Sequence, residues 1–236
     1  AGGSNPRPLT QQQANTFAPE TVVAYELGAK FEGFNHRLRW NNALYLSDYS
    51  DFQTTGQELV PGSNPPVVFN VYSNFAKVRI SGAETELDWE PVNGLVFDAS
   101  GGALSYKVVE VGARATGITT TTKPPIPERQ TDAGVQYSIP LGNAGLLTPR
   151  VDLSYQGGFY SGTYGLPIDH VGGYALVNAH LSWESQDGRW QATLQLNNAL
   201  NRYYHVNVYD NTSPFGIIEA QPGMPREWLL SVRRSF

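Results

Sequence analysis

The side chains in this sequence that could do chemistry are first of all its histidines and paired carboxylates. The histidines are His36, His170, His180 and His205. Their spacing from one another and from carboxylates matches no metal-ligand pattern, and a solvated side chain is the commoner role for a lone histidine. Glu84 and Glu86 share one face of a strand at i, i+2 spacing, as the carboxylates of a glycosidase could. No third group supports catalysis there, so solvated carboxylates are the simpler interpretation.

Nucleophile and phosphate-binding motifs are the next candidates for chemistry. No serine lies in a Gly-x-Ser-x-Gly elbow. Gly101-Gly102 sits inside a predicted strand and lacks the strand–loop–helix context of a phosphate cradle. We therefore predict that the chain is not an enzyme and that it has no catalytic residues, no metal site and no cofactor.

Aromatic side chains near the ends of the predicted strands are the better candidates for contact with a ligand. They are Tyr160, Tyr164, Tyr203, Tyr204, Tyr209 and Phe215. Exposed aromatic rings stack on planar or hydrophobic molecules, although such rings more often pack a loop onto the rim of a sheet. We predict ligand contacts along this rim without a preferred residue.

The elements that position these residues are strands, and the clearest pair of strands lies between residues 174 and 201. From Tyr174 to Glu184 every second residue is apolar, and the same alternation resumes after Gly188. Strict alternation on both sides of an Asp-Gly turn predicts an antiparallel hairpin with one wet face and one dry face. Each arm alternates for about ten residues, which is the length that a tilted strand needs to cross a bilayer.

The composition limits the class of protein. The chain has 236 residues, 12% of them aromatic, with 24 glycines and one methionine, which suits one large all-β domain. Its net charge of -5 offers no basic patch for nucleic acid. The absence of cysteine excludes disulfides and thiolate metal sites. No run approaches 18 apolar residues, which excludes a transmembrane helix but not the strands of a membrane barrel.

The alternation recurs in about nine segments after a loop or linker at residues 1–18. Short turns fall at 34–36, 91–94, 141–145 and 185–188, and long loops at 54–71, 107–128, 161–173 and 204–223. In the third segment the apolar residues change register, which predicts a bulge or a membrane exit near Ser81-Gly82. Short periplasmic turns that alternate with long extracellular loops are typical of outer-membrane barrels. We therefore predict an all-β fold: an antiparallel transmembrane β-barrel, here partial, with about nine strands.

Four of the tryptophans support this prediction. Trp40, Trp89, Trp183 and Trp190 each lie on an apolar face within a few residues of a short turn. An indole ring prefers the headgroup level of a bilayer, so these residues predict a membrane-interface girdle. In the core of a soluble sandwich, tryptophans should not follow one end of the strands.

Several motifs occur in a fixed order along the chain. They are Pro19-Glu20-Thr21 with Tyr25-Glu26-Leu27-Gly28, Arg37 to Asn41 with Asp48 to Phe52, Asn198-Ala199-Leu200-Asn201-Arg202-Tyr203-Tyr204, and Pro222 to Trp228 leading to Phe236. In order and spacing they resemble the second half of the barrel in TonB-dependent outer-membrane receptors. The chain departs from the family pattern at Ala199, where leucine is usual, and at Arg234, where an aromatic residue is common.

The resemblance implies a barrel of about 22 strands that is plugged by an N-terminal domain. We therefore predict that residues 19–236 are the C-terminal portion of such a barrel, that the plug and the remaining strands are missing from this chain, and that Phe236 is part of a C-terminal insertion signal. The implied partners are outer-membrane lipid, a small-molecule metal chelate or other nutrient, and the TonB complex acting through the missing N-terminal part. The implied location is the outer membrane of a Gram-negative bacterium.

The leading functional hypothesis is an active-transport receptor that imports a scarce nutrient, such as a ferric siderophore. One alternative is a passive outer-membrane pore, which has the same fold and needs no plug. Another is a soluble carbohydrate-binding β-sandwich, in which the apolar faces of the strands would meet in one core.

Overall fold

The computed structural model describes residues 2–4, 16–59, 68–112, 122–162, 165–212 and 216–236. Within them, nine strands follow one another in a single antiparallel sheet, each paired with the next strand along the chain. The strands are β1 (Thr21–Gly33), β2 (Leu38–Leu59), β3 (Val68–Val92), β4 (Leu95–Val111), β5 (Arg129–Tyr137), β6 (Leu146–Gln156), β7 (Tyr174–Glu184), β8 (Trp190–Asn197) and β9 (Glu227–Arg234). The predicted antiparallel fold of about nine strands is confirmed.

The remaining elements are short and lie between these strands or before them. Ile139–Pro140 adds a short pairing to β6, and 3-10 turns occupy Gly142–Ala144 and Pro167–Asp169. Two-stranded pairs join Gly3–Ser4 to Thr16–Phe17, Phe159–Tyr160 to His170–Val171, and His205–Asn211 to Ile217–Pro222. The described residues contain no helix that is long and apolar enough to cross a membrane.

Strands β2 and β3 are longer than the sequence pattern predicts. Their pairing continues to Leu59 opposite Val68, so the long loop predicted at 54–71 is wrong at both of its ends. Strand β4 likewise continues to Val111, inside the loop predicted from 107. The pattern misses these extensions because ladder hydrogen bonds join backbone groups, which pair whatever the side chains are.

The two faces of the sheet differ in polarity, and the apolar face is exposed. Leu194 lies beside Leu181 and Leu230 across the β7–β8–β9 ladder, and Leu230 is 68% exposed. On the first strand Leu27 is 71% exposed. Among the described residues the buried apolar side chains are few: Phe75, Ala76, Val78, Val108 and Val171. This arrangement contradicts a soluble β-sandwich and leaves the apolar face available to lipid.

Of the two alternatives predicted near Ser81-Gly82, a bulge or a membrane exit, the bulge is wrong, because these residues pair without interruption opposite Leu46 and Tyr45. The irregular pairings lie further on, at Tyr49–Gln53 and at Lys77/Val78. Without a bulge, Val78 and Ile80 face the same side as Glu84 and Glu86. The strands therefore keep one register while the polarity of both faces changes, as expected where strands leave a bilayer.

Candidate functional site

The polar face of β1–β5 is concave and borders a cavity of about 500 Å³. Its lining includes Glu26, Lys30, Asn41, Glu84, Glu86 and Asp132. Asn41 donates a hydrogen bond of 3.1 Å to Glu86 Oε2. Gly102 lies directly opposite Glu84 and adds no side chain, which keeps the wall open. We call this surface the polar inner wall.

An arginine fixes the neighbouring part of the same face. Arg150 on β6 donates to both carboxylate oxygens of Asp98 on β4, at 2.7 and 3.0 Å, and to Asp152 Oδ1 at 2.7 Å. Gly134 on β5 lies between these two aspartates in the ladder, and its lack of a side chain leaves space for the guanidinium. The bidentate geometry joins β4 to β6 across β5.

Toward the long loops, the same face becomes apolar. We call this region the inner apolar patch; it comprises Tyr49, Phe52, Ala76, Val78, Ile80, Tyr106, Val108 and Val111. The ring of Phe52 makes edge contacts with Tyr49 at 5.7 Å and with Tyr106 at 6.4 Å. The predicted ligand residues do not include this patch, although the register change at Val78 and Ile80 was the signal that could have found it.

The loop after β4 returns against this patch. Residues 122–125 close a cavity of about 130 Å³ over Phe52, Tyr106 and Val108. Glu128 anchors the returning segment, because its carbonyl accepts a hydrogen bond from Leu104 N at 2.8 Å and its carboxylate pairs with Lys123 Nζ at 2.6 Å. Residues 122–125 of the long loop therefore cover part of the inner apolar patch.

On the opposite face at this level, charges replace the apolar side chains. Arg79 binds both carboxylate oxygens of Asp48 at 2.7 and 3.0 Å, and Lys77 pairs with Glu110 at 2.6 Å. Leu46 and Ser81, one ladder step nearer the short turns on that face, precede these charges. Charged pairs on the outer face mark the level at which the strands leave lipid.

The candidate aromatic residues do not gather at one place. Tyr164 and Phe215 lie outside the described residues. Tyr160 makes an edge contact with His170 at 5.2 Å and lines a cavity of about 120 Å³ with Lys123. Tyr209 is half exposed on the hairpin of the last long loop.

The adjacent pair Tyr203 and Tyr204 divides between exposure and packing. Tyr203 is 72% exposed, and its hydroxyl lies 3.1 Å from His205 Nε2. The Tyr204 ring packs against Tyr174 with centroids 4.3 Å apart and lies directly over Gly223. Tyr204 therefore holds the last loop onto the rim, whereas Tyr203 is available for contact.

A serine hydroxyl joins two of the long loops beside a buried carboxylate. The hydroxyl of Ser161 lies within hydrogen-bond distance of the carbonyls of Asp169 and Val208 and can donate to either, which brings the Pro167–Asp169 turn against the His205–Asn211 strand. Asp169 is 5% exposed. Burial raises the pKa of its carboxyl above the usual range, and the negative charge of Asp210 raises this pKa further.

The tryptophans of the predicted girdle lie near the short turns on the apolar face. Trp40 Nε1 donates to Thr85 Oγ1 at 2.9 Å, and Trp183 Nε1 donates to the carbonyl of Ala144 in a short turn at 2.8 Å. Trp89 stacks on Phe97 and Trp190 lies opposite Arg234.

Among the described residues, no group of three or more histidines or carboxylates is arranged to hold a metal ion.

Residues 1–199 match the family model described as "TonB dependent receptor-like, beta-barrel". The chain belongs to the TonB-dependent receptor family. Members of this family lie in the outer membrane of Gram-negative bacteria, and this chain is therefore an outer-membrane chain. The family and the similar structures are transport receptors rather than enzymes.

Known receptors are similar to this TonB-dependent receptor chain over nearly its whole length. The pesticin receptor of Yersinia pestis is 26% identical over 235 residues, which is 99% of this chain and 32% of the relative. The crystal structure of the ferric yersiniabactin uptake receptor from Yersinia pestis superposes with a TM-score of 0.79, at 22% identity, over 100% of this chain and 33% of that one. The pyoverdine receptor from Pseudomonas aeruginosa PAO1 gives a TM-score of 0.66 at 21% identity, over 92% of this chain and 30% of the receptor. The chain thus spans about a third of the length of these relatives.

One receptor-like motif of the sequence has a structural role. Asn198 begins the Asn-Ala-Leu-Asn segment after β8 and is 3% exposed, with a φ of 47°. Its amide group donates to the carbonyls of Arg202 and Met224 at 2.8 and 3.0 Å and accepts from Arg202 N at 2.7 Å. Asn198 therefore joins both ends of the last long loop, which brings Tyr203 and Tyr204 to the rim.

Proposed function

We propose that this chain is the C-terminal part of the barrel of an outer-membrane receptor that imports a scarce nutrient, a ferric siderophore or a similar iron complex, with energy from the TonB complex. The match of residues 1–199 to the receptor barrel family carries the proposal. Relatives and structures named as receptors for pesticin, ferric yersiniabactin and pyoverdine support this cargo class. In this proposal the chain is not an enzyme.

The proposal divides the receptor between this chain and the rest of the protein. Residues 1–18 form a linker, and residues 19–236 form barrel wall. The plug and the remaining strands belong to the rest of the receptor, and the TonB complex acts through that part. The share of each relative that the chain covers, about a third, supports this division.

The inner face of the sheet supports a path for an iron chelate. The inner apolar patch lies toward the long loops, where aromatic parts of a chelate can contact a ring that residues 122–125 leave uncovered, such as Tyr49. The polar inner wall lies deeper, with amide and carboxylate groups that suit a hydrated cargo. Of the predicted ligand residues, Tyr160, Tyr203, Tyr204 and Tyr209 lie in the long loops or at their ends, and Tyr203 is the most exposed of these four. Tyr164 and Phe215, which lie outside the described residues, stay part of the proposal.

Uptake of iron tests the proposal. Cells that lack the complete receptor gene should lose the uptake of at least one ferric siderophore labelled with radioactive iron, and the intact gene should restore it. Removal of TonB should abolish the restored uptake. If a panel of ferric siderophores enters equally well with and without the gene, the cargo assignment is wrong.

The same strains separate active transport from a passive pore. Transport that continues without TonB contradicts an energy-coupled receptor. A pore would also conduct ions when the purified full-length protein is placed in a planar bilayer, whereas a plugged receptor should not.

A further inference from the structure

An arginine on the outer face of the last strand lies between two aromatic rings. Arg234 on β9 pairs directly with Trp190 on β8, on the face that also carries Leu194 and Leu230. Its guanidinium carbon lies 5.0 Å from the centroid of the Trp190 ring and 4.8 Å from that of Phe236. Both distances are within the range of a cation–π contact.

The positive charge of Arg234 has no acidic partner in the described part of the chain. The outer-face cations at the opposite end of the strands differ in this respect, because Arg79 pairs with Asp48 and Lys77 pairs with Glu110. Aromatic rings at its faces leave the N–H groups at the edge of a guanidinium free to donate. Arg234 therefore presents several unused donors next to two exposed rings.

The position of this cluster along the strand indicates which anion these donors meet. Trp190 lies two residues after the short turn at residues 185–188, and Ser235 N donates to the Arg189 carbonyl at the same end at 2.8 Å. Tryptophan side chains at this end of the strands lie at the headgroup level if the short turns are periplasmic. At that level the nearest abundant anion is the phosphate of a lipid headgroup, and a guanidinium fork matches the geometry of a phosphate.

We propose that Trp190, Arg234 and Phe236 form a binding site for the phosphate group of a phospholipid in the periplasmic leaflet. The guanidinium donates to the phosphate oxygens, and the two rings hold its plane and contact the upper acyl chain. The site rests on the membrane placement of the barrel and is independent of the cargo. It would fasten β8 and β9 to the leaflet at the end where the strands turn.

Native mass spectrometry of the full-length receptor with added phosphatidylglycerol tests the site. Arg234→Gln should weaken the binding of phosphatidylglycerol roughly tenfold, which corresponds to about 1.4 kcal/mol. Arg233→Gln is the matched control, because Arg233 is the adjacent residue on the opposite face of the same strand. This control should leave the binding unchanged. Equal binding by wild type and Arg234→Gln, or an equal loss in both variants, overturns the proposal.

Two further measurements separate the site from simpler explanations. Trp190→Ala keeps the charge but removes one ring, so it should also weaken lipid binding; full binding by this variant contradicts a ring-supported site. If Arg234→Gln does not fold, Arg234→Lys replaces it, and its loss of the planar fork should still weaken binding several-fold. Inorganic phosphate at the lipid concentration should not displace the lipid, because it lacks the acyl chain that the two rings contact. Displacement would indicate a general anion site and contradict the proposal.

Discussion

Single residues on the inner face show how closely the wall is packed around its charges. Arg150 reaches two aspartates only because Gly134 leaves the strand between them without a side chain. In contrast, a Cβ at Gly102 on the same face would make only ordinary van der Waals contacts, with Glu84 Cγ at 3.8 Å and Ala83 O at 3.9 Å. Gly134 is therefore required by the position of Arg150, whereas Gly102 is not required by a close contact. Both lie in a strand, where glycine is otherwise unfavourable.

Gly134→Ala should lower the free energy of unfolding by roughly 1–3 kcal/mol. The added Cβ would overlap Arg150 Nη2 and lie 2.7 Å from Asp98 Oδ2, so the bidentate pair must shift. Heat-dependent unfolding of the full-length receptor measures the loss. Gly102→Ala is the control, since its Cβ would meet Glu84 Cγ at 3.8 Å, and it should change stability by less than about 0.5 kcal/mol. Equal effects of the two variants would show that Arg150 does not depend on Gly134.

Asp169→Asn should strengthen the contact between two of the long loops at neutral pH. Burial raises the pKa of Asp169 when the loops are docked, so the protonated form is favoured there and the docked state is destabilised as the pH rises through this pKa. Asparagine resembles the protonated side chain and carries no charge to repel Asp210. Hydrogen exchange of residues 161–171 should therefore slow at neutral pH and vary less between neutral and acid pH than in wild type.

Asp187 provides the opposite case within the same chain. The Ser185 hydroxyl and Arg189 N–H donate to its carboxylate and lower its pKa, so ionised Asp187 stabilises the short turn above the usual pKa of aspartate. Asp187→Asn should therefore speed exchange in its own turn at neutral pH. If both asparagine variants change exchange in the same direction, the assigned role of Asp169 is wrong.

At the scale of elements, the sequence predicts the strands that cross the bilayer better than those that leave it. Between Tyr174 and Asn197 each side chain faces either lipid or water, so the alternation is strict and the hairpin is predicted with its turn. Beyond Leu46 the outer face meets water and the inner face meets a returning loop. In this part of the strands the polar side chains therefore lie on the outer face and the apolar side chains on the inner face. The extensions to Leu59 and from Val68 are paired through backbone hydrogen bonds. Their side chains do not alternate between polar and apolar, so the sequence pattern does not predict them.

The candidate site shows the same limit. Tyrosines near the loops could be selected by residue type, but the sequence does not reveal that Tyr204 packs on Tyr174 while Tyr203 stays exposed. The inner apolar patch forms from residues of three strands, and only the pairing register brings Phe52 beside Tyr106. Such contacts depend on bulges and long-range pairing, which a single sequence does not specify.

Asn198→Ala should destabilise the last long loop. The substitution removes the donor of the part-buried hydrogen bonds to the carbonyls of Arg202 and Met224, at a cost of about 0.5–1.5 kcal/mol for each bond lost. Protease cleavage after Arg202 in the folded full-length receptor should become faster. Asn198→Gly tolerates the φ of 47° but also lacks the amide group. Cleavage of the glycine variant at the wild-type rate would contradict the role of these hydrogen bonds.

At the scale of the whole molecule, the exposed edges and the exposed apolar face have one explanation. All residues of β9 are exposed, as are those of β1 up to Glu32, and an unpaired edge is costly in lipid. Within a complete receptor barrel these edges would pair with the remaining strands. The apolar face would then be the outside of a closed wall, bounded by tryptophans near the short turns and by the Asp48–Arg79 pair toward the long loops.

This explanation predicts opposite outcomes for neighbouring residues in the middle of β2. Leu44 lies on the outer face between Leu27 and Ala83, whereas Ala43 faces the polar inner wall beside Glu84. Leu44→Arg should make folding into lipid vesicles less favourable by about 2–4 kcal/mol, the cost of an arginine near the bilayer midplane. Ala43→Arg places the same charge near carboxylates in water and should cost far less. Because both variants add one arginine to one strand, a difference between them isolates the medium that each face meets. Equal costs, or a larger cost for Ala43→Arg, would mean that the outer face does not contact lipid.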